Sequence, residues 1–384
     1  MTETLAVCGG DSGEVRIFNL SSFSCVHAID ATRYHKSLVH INKVEVSGNQ
    51  LGVAGNPWIR IHAFDNIGAP GTLYEGHSDN VTSLSFQSDH KWFVSTGEDA
   101  KLRLWDLRAR GFQLGICHDA AINCSQVHPN QGVVVFGDQN GCLNHLDLAA
   151  NKVIRQQVGE PLAGLGVTSL LFDEFQRLLC CHHNSCVSIF EGIDTQKELG
   201  INLHVDEPFS SGDDSSPRHA LMPPALLPLM SRSVSNTRAT NPDTVPGHQV
   251  VKIADVSGGH TFADDVHAGC YVTSMSLSPS GGKHTRALAL SASDGSSSIW
   301  RRACDEDACS LDLHVQSLDR IWCCDTKLID SKARYAISAF ADGKCKVIDV
   351  ARPGGQSLGA FDAGRGKAVR SIALVHEDSM RNRI

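Results

Sequence analysis

A six-residue β-type segment recurs seven times along this 384-residue chain, and this repetition constrains the fold more than any other feature. Every copy opens on Ile or Val, and most copies carry apolar residues at the fourth and sixth positions, which lie on one face of a strand. Successive copies start 40 to 49 residues apart, apart from one gap of 105 residues, and they begin at Ile41, Val81, Ile122, Val167, Val272, Ile321 and Val369. This period is typical of a repeated four-stranded unit.

The repeat predicts an all-β fold, a seven-bladed β-propeller in which each segment forms the innermost strand of one blade. The third position is Ser or Cys in six of the seven copies, which suits strands that converge on an axis where little volume is available. Near the N-terminus, residues 5–9 already form a strand, with no copy of the segment ahead of them. We therefore expect residues 369–374 to pair with this N-terminal blade and close the ring, so that residues 1–384 form a single propeller without an open edge.

The long gap contains a stretch of different composition at residues 206–248. It holds seven of the thirteen Pro residues and many Ser and Asp, a composition that cannot bury enough apolar surface to offset chain entropy. We predict a disordered insertion between the fifth and sixth blades. Its one apolar run, residues 221–230, has two interpretations: a docking motif for a partner, or an irregular loop resting on the rim of the propeller.

Composition argues against several classes of function. The formal net charge is −8 and there is no basic run, so the electrostatic footprint of a nucleic-acid-binding protein is absent. No secretory signal follows Met1 and no run of 18 apolar residues occurs, so we expect no direct membrane insertion. The fourteen Cys are therefore interpreted as free thiols in a reducing cytoplasm.

One cluster invites a zinc interpretation, and it consists of Cys180, Cys181, His182, His183 and Cys186. Neighbouring residues on a strand point to opposite faces, and the spacing matches no compact zinc framework, so buried thiols beside a turn His explain the cluster better. The sequence also contains no nucleophile elbow or phosphate-binding loop. We expect no enzymatic activity, no catalytic residue, no metal and no cofactor.

Residues 97–106 resemble the end of a WD repeat, and Gly76 and His77 lie upstream at the spacing where such a repeat begins. The resemblance implies a buried chain of hydrogen bonds that joins a His, a strand hydroxyl, a turn carboxylate and the Trp indole. Here those residues are His77, Ser95 or Thr96, Asp99 and Trp105. Such a network rigidifies a blade only if every member is paired.

The second position of the seven segments indicates a partner-binding surface. It is small and polar in five copies, whereas Trp322 and Arg370 occupy it in the last two. Residues that break a regular pattern are expected at functional positions, and Trp and Arg are enriched in interface hot spots. With residues at other strand starts they define the candidate surface: Trp322, His40, Asn42, Arg320, Arg370 and Tyr271. The structural alternative is that Trp322 packs into the adjacent blade and Arg370 pairs with a loop carboxylate.

Residues 97–148 resemble one WD-repeat family in particular. The motifs that carry the resemblance are Gly97-Glu98-Asp99, Leu104-Trp105-Asp106-Leu107-Arg108-Ala109-Arg110, Ala121-Ile122-Asn123-Cys124, His128-Pro129-Asn130-Gln131 and Gly137-Asp138-Gln139 with Gly141. Together they are similar to the small WD-repeat subunit of the target-of-rapamycin (TOR) kinase complexes, the lethal-with-SEC-thirteen or G-protein-beta-subunit-like family. The lone first strand pair and the closing C-terminal strand also fit that family.

This resemblance implies a non-catalytic scaffold subunit that binds the C-lobe of a TOR-type phosphoinositide-3-kinase-like protein kinase and supports TOR signalling in growth and nutrient response. Trp322 falls on the second of two family Trp residues at this strand start, and His40 falls on a polar contact position. Arg320 replaces the first Trp, which changes the details of the implied contact. The implied protein is a monomeric propeller within a hetero-complex, located in the cytoplasm and recruited to endolysosomal membranes through the complex.

Two other functions stay open at this point. One is a generic WD-repeat adaptor in another assembly, such as a ubiquitin ligase or a ribosome-associated scaffold. The other is a propeller that binds a small molecule or hydrolyses a substrate. Capture of a very large kinase from the source cell would favour the TOR complex, whereas capture of cullin or ribosomal proteins would favour the adaptor.

Overall fold

A computed structural model describes residues 4–31, 40–109, 111–157, 166–183, 187–191, 205–206, 251–255, 272–279, 287–302, 309–316, 321–352 and 355–376. These residues are mostly β-strand, with a short 3₁₀ turn at Phe64–Asn66. The strands pair antiparallel into seven sheets, and the prediction of an all-β propeller is confirmed. Among the same residues, no helix has the length and apolarity needed to cross a membrane.

The sheets are numbered here by the order of their first strands around the ring, starting with the one that holds the N-terminus. The first sheet contains, in spatial order, β29 (Val369–His376), β1 (Thr4–Gly10), β2 (Glu14–Asn19) and β3 (Ser24–Asp30). The second contains β4 (Ile41–Ser47), β5 (Gln50–Gly55), β6 (Ile59–Ala63) and β7 (Thr72–Tyr74). The third contains β8 (Val81–Phe86), β9 (Trp92–Gly97), β10 (Lys101–Asp106), β11 (Phe112–Cys117) and β19 (Val205–Asp206).

The remaining four sheets have the same arrangement. The fourth contains β12 (Ile122–Val127), β13 (Val133–Asp138), β14 (Cys142–Asp147) and β15 (Lys152–Gln157). The fifth contains β16 (Val167–Phe172), β17 (Leu178–His182), β18 (Val187–Glu191) and β20 (Val251–Asp255). The sixth contains β21 (Val272–Leu277), β22 (Ala287–Ala292), β23 (Ser296–Arg302) and β24 (Cys309–Gln316), and the seventh β25 (Cys323–Leu328), β26 (Tyr335–Phe340), β27 (Lys344–Asp349) and β28 (Gln356–Asp362).

The prediction of seven uniform four-stranded units needs correction. Six sheets have four strands and the third has five, because β19 adds to its outer edge opposite Gly115 and Ile116. The place of the predicted insertion also differs, since β20 pairs with β18 and completes the fifth sheet. In sequence, the inserted residues therefore lie between β18 and β20 of the fifth sheet rather than between the fifth and sixth sheets. Asp206 belongs to β19, which pairs into the third sheet. Residues 207–248, on which the predicted disorder falls, lie outside the described residues.

β29 joins the two ends of the described chain. Its register with β1 places His376 opposite Thr4 and Val369 opposite Gly10, as the spare C-terminal strand predicts. The innermost strands contact one another in a closed cycle that runs through β29, β4, β8, β12, β16, β21 and β25 and returns to β29. Each innermost strand therefore has a neighbouring sheet on both sides.

The hydrophobic core is divided among the interfaces between adjacent sheets. Trp92, Phe136 and Leu146 are fully buried together between the third and fourth sheets. Phe18 and Ile372 are buried in the cluster between the seventh and first sheets. Because each sheet packs on two neighbours, a sheet cannot bury its apolar faces alone, and stability depends on the complete set.

Side chains at the second position of the innermost strands link neighbouring sheets around the axis. Four of them donate a hydrogen bond to the carbonyl of the first residue in the next innermost strand: Asn42 to Val81 (3.3 Å), Thr82 to Ile122 (2.6 Å), Asn123 to Val167 (3.0 Å) and Thr273 to Cys323 (2.6 Å). The small polar residues at this position therefore link neighbouring innermost strands by hydrogen bonds.

Candidate partner-binding site and WD network

His77, Ser95, Asp99 and Trp105 form one hydrogen-bonded chain in the third sheet. Trp105 Nε1 donates to Ser95 Oγ (2.8 Å), Ser95 Oγ lies 2.7 Å from His77 Nε2, and His77 Nδ1 lies 3.0 Å from both carboxylate oxygens of Asp99. A neutral imidazole with its proton on Nδ1 lets the indole, the hydroxyl and the imidazole each donate once along the chain. Of the two hydroxyls that the sequence leaves open, Ser95 rather than Thr96 takes part.

The turn between β9 and β10 positions Asp99. The backbone amides of Ser78 and Lys101 donate to its carboxylate at 3.0 and 3.2 Å. Burial by itself raises the pKa of this carboxyl, but the hydrogen bonds from His77 and from the two amides outweigh burial and leave the pKa of Asp99 below its usual value. The carboxylate therefore stays ionised at neutral pH and anchors the chain.

Replacing this anchor is expected to destabilise the protein. Asp99→Ala leaves the buried His77 without its acceptor and removes the partner of the Ser78 and Lys101 amides. We therefore expect the free energy of unfolding to fall by about 2–3 kcal/mol. Urea denaturation at pH 7 measures this change. The matched control is Asp79→Ala, an exposed carboxylate in the preceding loop, which should change the free energy by less than about 0.5 kcal/mol. Equal effects of the two substitutions would contradict a stabilising network.

A second His–Asp pair joins His118, in the loop before β12, to Asp138 at the end of β13. His118 Nε2 is 2.9 Å from Asp138 Oδ2 and 3.1 Å from Asp119 Oδ1, so three potential metal ligands converge. Asp138 Oδ1 also accepts two backbone amides of its own turn, at 2.9 and 2.8 Å. Asp138 thus fixes a turn in the same way as Asp99, and this role accounts for the cluster.

The cysteines of the zinc-like cluster point into different interfaces. Cys180 packs between the fourth and fifth sheets, whereas Cys181 packs between the fifth and sixth. Both thiols are fully buried, and Cys180 Sγ lies 3.5 Å from His182 Nε2. The alternation of the strand separates the two sulfurs, and Cys186 lies outside the described residues.

Three residues of the candidate surface gather around Asp11, in the turn between β1 and β2. Arg370 Nε donates to Asp11 Oδ1, and His40 Nδ1 lies 3.4 Å from the same oxygen. Arg370 also donates to Asn42 Oδ1 at 3.4 Å. Asp11 reaches this position because β1 pairs with β29, and its amide donates to the carbonyl of Ala368 (2.9 Å). Sequence reasoning missed Asp11, although the predicted pairing of these strands brings its turn beside Arg370.

Trp322 is an exposed aromatic residue of the candidate surface. β25 begins at Cys323, two residues later than the strand predicted at 321–326, so Trp322 lies in the loop just before the strand. The residue is 51% exposed, and its carbonyl accepts the amide of Ala341 at 2.9 Å. The side chain therefore keeps about half of its surface in solvent, more than full packing into the adjacent sheet would leave, whereas the pairing of Arg370 with a loop carboxylate is present.

The other members of the surface differ in their availability. Asn42 is half-buried and uses both ends of its amide inside the protein, toward Val81 and Arg370. Tyr271 and Arg320 lie outside the described residues. The structure thus brings His40, Asn42 and Arg370 together and exposes Trp322 at the start of the neighbouring innermost strand.

Residues 68–106 match the family model described as WD domain, G-beta repeat. This segment contains all four residues of the hydrogen-bonded chain in the third sheet. The chain contains a WD repeat. The crystal structure of the Myceliophteria thermophila Cps50 (Swd1) β-propeller domain is similar in fold, with a TM-score of 0.56 and 15% sequence identity over 84% of this chain and 86% of that one.

Two curated relatives are similar to part of this chain. The chain is 32% identical to the target of rapamycin complex subunit wat1 of Schizosaccharomyces pombe over 34% of its own length and 43% of that protein. It is 33% identical to the target of rapamycin complex subunit LST8 of Mus musculus over 38% of its own length and 44% of that protein. The chain spans less than half the length of the curated relatives it matches.

Proposed function

We propose that this protein is a non-catalytic scaffold subunit of a TOR kinase complex. The similarity to the S. pombe and mouse proteins named as target of rapamycin complex subunits carries the proposal. The seven sheets act as the blades of one rigid ring, and the ring binds the C-lobe of the kinase domain. Its cytoplasmic location, and its recruitment to endolysosomal membranes through the complex, are part of the same proposal.

The kinase-binding surface consists of Trp322, His40, Asn42 and Arg370, together with Arg320, two residues before Trp322, and Tyr271, the residue before β21. The half-exposed indole of Trp322 supports this assignment, because a large rigid side chain gains much contact area at little entropic cost. Asp11 holds the guanidinium of Arg370 in place before any partner arrives, which lowers the cost of ordering it in a complex.

The expected mechanism is a shift of conformational populations. A bound subunit changes the activity of a kinase only if it binds the active arrangement better than the inactive one. A ring whose innermost strands are linked by hydrogen bonds presents its surface residues in a fixed geometry, so it favours the kinase arrangement that matches. Loss of the subunit then lowers the active population without removing any catalytic group.

Affinity capture of the full chain from its source cell tests both the function and the surface. The wild-type chain should capture a very large phosphoinositide-3-kinase-like kinase in near-stoichiometric amount. Trp322→Ala should weaken this binding by at least about 2 kcal/mol, or about thirtyfold in affinity, as expected for an interface hot spot. Quantitative mass spectrometry of the captured proteins identifies the kinase and compares the amounts captured by the wild type and by Trp322→Ala.

The matched control is Phe175→Ala. Phe175 is also an exposed aromatic residue, 64% exposed, but it lies in the turn that follows β16 and therefore at the opposite end of an innermost strand from Trp322. The control should capture as much kinase as the wild type. Undiminished capture by Trp322→Ala would exclude the proposed surface, while cullin or ribosomal proteins in place of the kinase would support the adaptor function instead.

A further inference from the structure

An apolar pocket of about 590 Å³ lies between the first and seventh sheets. It is close to the ends of β25 and β29, whereas Trp322 and Arg370 lie at their starts, so it belongs to the opposite face of the ring from the proposed kinase-binding surface. Its apolar lining is contributed by both sheets and consists of Leu20, Phe23, Ile329, Tyr335, Val347 and Leu358.

One wall of this pocket is formed where Phe23, next to β3 of the first sheet, packs against Gly359 of β28 in the seventh sheet. Phe23 has φ 54°, a left-handed backbone conformation that is uncommon for a bulky residue. Its ring packs against Gly359 of β28, where a Cβ atom would lie only 2.6 Å from the ring carbons. Because Gly359 has no side chain, the Phe23 ring fits closely against β28 and forms this wall of the pocket.

The rim of the pocket combines an apolar opening with a carboxylate. Leu358 is 40% exposed, so the apolar lining reaches the solvent. Asp330 also lines the pocket, and its Oδ1 accepts the backbone amides of Arg334 and Tyr335 at 2.8 and 2.9 Å, which holds the carboxylate at the edge. An occupant that suits this site has an apolar side chain to bury and a cation close to it.

A segment of this chain with that chemistry begins beside the pocket. Thr4 lines the pocket, and its partner across the β1–β29 ladder is His376. Residues 377–384 follow directly, and they include Met380, Arg381, Arg383 and Ile384. An extended chain advances about 3.3 Å per residue, so Met380 comes within about 13 Å of His376. Met is flexible and fills irregular apolar spaces well.

We propose that residues 377–384 dock in this pocket, with Met380 buried against Phe23 and Leu358 and an arginine beside Asp330. The apolar run at residues 221–230 is a less suitable occupant. Its flanking strands, β19 and β20, belong to the third and fifth sheets, whereas the pocket lies between the first and seventh.

Site-directed photo-cross-linking of the full chain tests this docking. Leu358→p-benzoylphenylalanine places a photoreactive group at the rim of the pocket. Irradiation should join residue 358 to the 377–384 segment of the same molecule, and peptide mass spectrometry identifies the product. The control is Val26→p-benzoylphenylalanine, which places the same group on β3 at a residue that is 51% exposed and does not line the pocket. The control should give no product with residues 377–384.

Two further variants distinguish the contribution of the Met380 side chain to docking from that of the rest of the segment. Met380→Ser should reduce the cross-linked fraction by about fivefold or more, because burial of one such side chain is worth more than a factor of ten in an equilibrium constant. Glu377→Ser should leave the fraction unchanged. Hydrogen exchange of the chain without the photoreactive group gives a second readout, since Met380→Ser should speed exchange around Phe23 and Gly359.

Several results would overturn the proposal. Cross-links from residue 358 to residues 207–250 would identify the inserted stretch as the occupant, and cross-links between two molecules would identify a second copy. Absence of any product, or unchanged hydrogen exchange in Met380→Ser, would leave the segment outside the pocket. None of these outcomes bears on kinase capture, so the proposed function is judged separately.

Discussion

Removal of residues 366–384 is expected to leave the protein without a cooperatively folded state. β29 fills the inner position of the first sheet, and Val369, Ile372 and Val375 of this strand are buried. Burial of three such side chains contributes about 5–9 kcal/mol, which approaches the total stability of a typical domain. Loss of the strand also removes the ladder to β1 and the hydrogen bond from the Ile372 amide to Asp325 (2.8 Å).

Circular dichroism and calorimetry measure this effect, and the chain offers a matched control. Deletion of residues 377–384 shortens the same end but retains the whole of β29, so this variant should keep a cooperative thermal transition within a few degrees of the wild type. The longer deletion should show no such transition and should bind hydrophobic dyes. A soluble 366–384 deletion with an unchanged melting temperature would contradict closure by β29.

Acidification is expected to destabilise the protein through His145. This residue of β14 is only 8% exposed, and burial lowers the pKa of its imidazole to about 4. In the unfolded chain the pKa is near the usual value of about 6.5, so between these two values the unfolded state binds a proton that the folded state does not. Stability therefore falls as the pH drops from about 6.5 to about 4, by about 3 kcal/mol in all.

Urea denaturation at a series of pH values tests this contribution. His145→Gln should reduce the loss of stability between about pH 6.5 and 4 by about 3 kcal/mol, because glutamine does not titrate. His27→Gln on β3, a half-buried position, is the control and should retain the loss. Asp99 contributes to stability in a different pH range. Because its pKa is lowered in the folded state, the stability that its carboxylate contributes is lost only as the pH falls below about 4, the usual pKa of a carboxyl group. An unchanged pH profile in His145→Gln would refute the role of this histidine.

The repeated segments predicted both the all-β architecture and the closure of the ring, because each follows from the pattern of individual segments. Strand alternation places Val369 and Ile372 in the core, and an N-terminal strand without an inner neighbour requires one from elsewhere. The residues of the WD network were also predictable, since His77, Asp99 and Trp105 lie at characteristic spacings. Only the choice between Ser95 and Thr96 depended on the structure. Both residues are buried in β9, and neighbouring side chains on a strand point to opposite faces, so only one of them can face Trp105.

Contacts between distant turns were not predictable in the same way. Asp11 lies 359 residues from Arg370 in sequence, and its role depends on the register between β1 and β29. Polarity at the second position does not by itself show where a side chain points: Asn42 and Thr82 are small and polar, and both donate to carbonyls of the next sheet. The fifth strand of the third sheet has no periodic signal, because β19 is only two residues long.

The pairing of β29 with β1 has a consequence for biosynthesis. The first three strands leave the ribosome early, but the edge of β1 stays without its inner neighbour until β29 has been translated. An unpaired strand edge on a nascent chain is a site for aggregation or mispairing. We therefore expect that nascent chains need chaperones to protect this edge until β29 emerges.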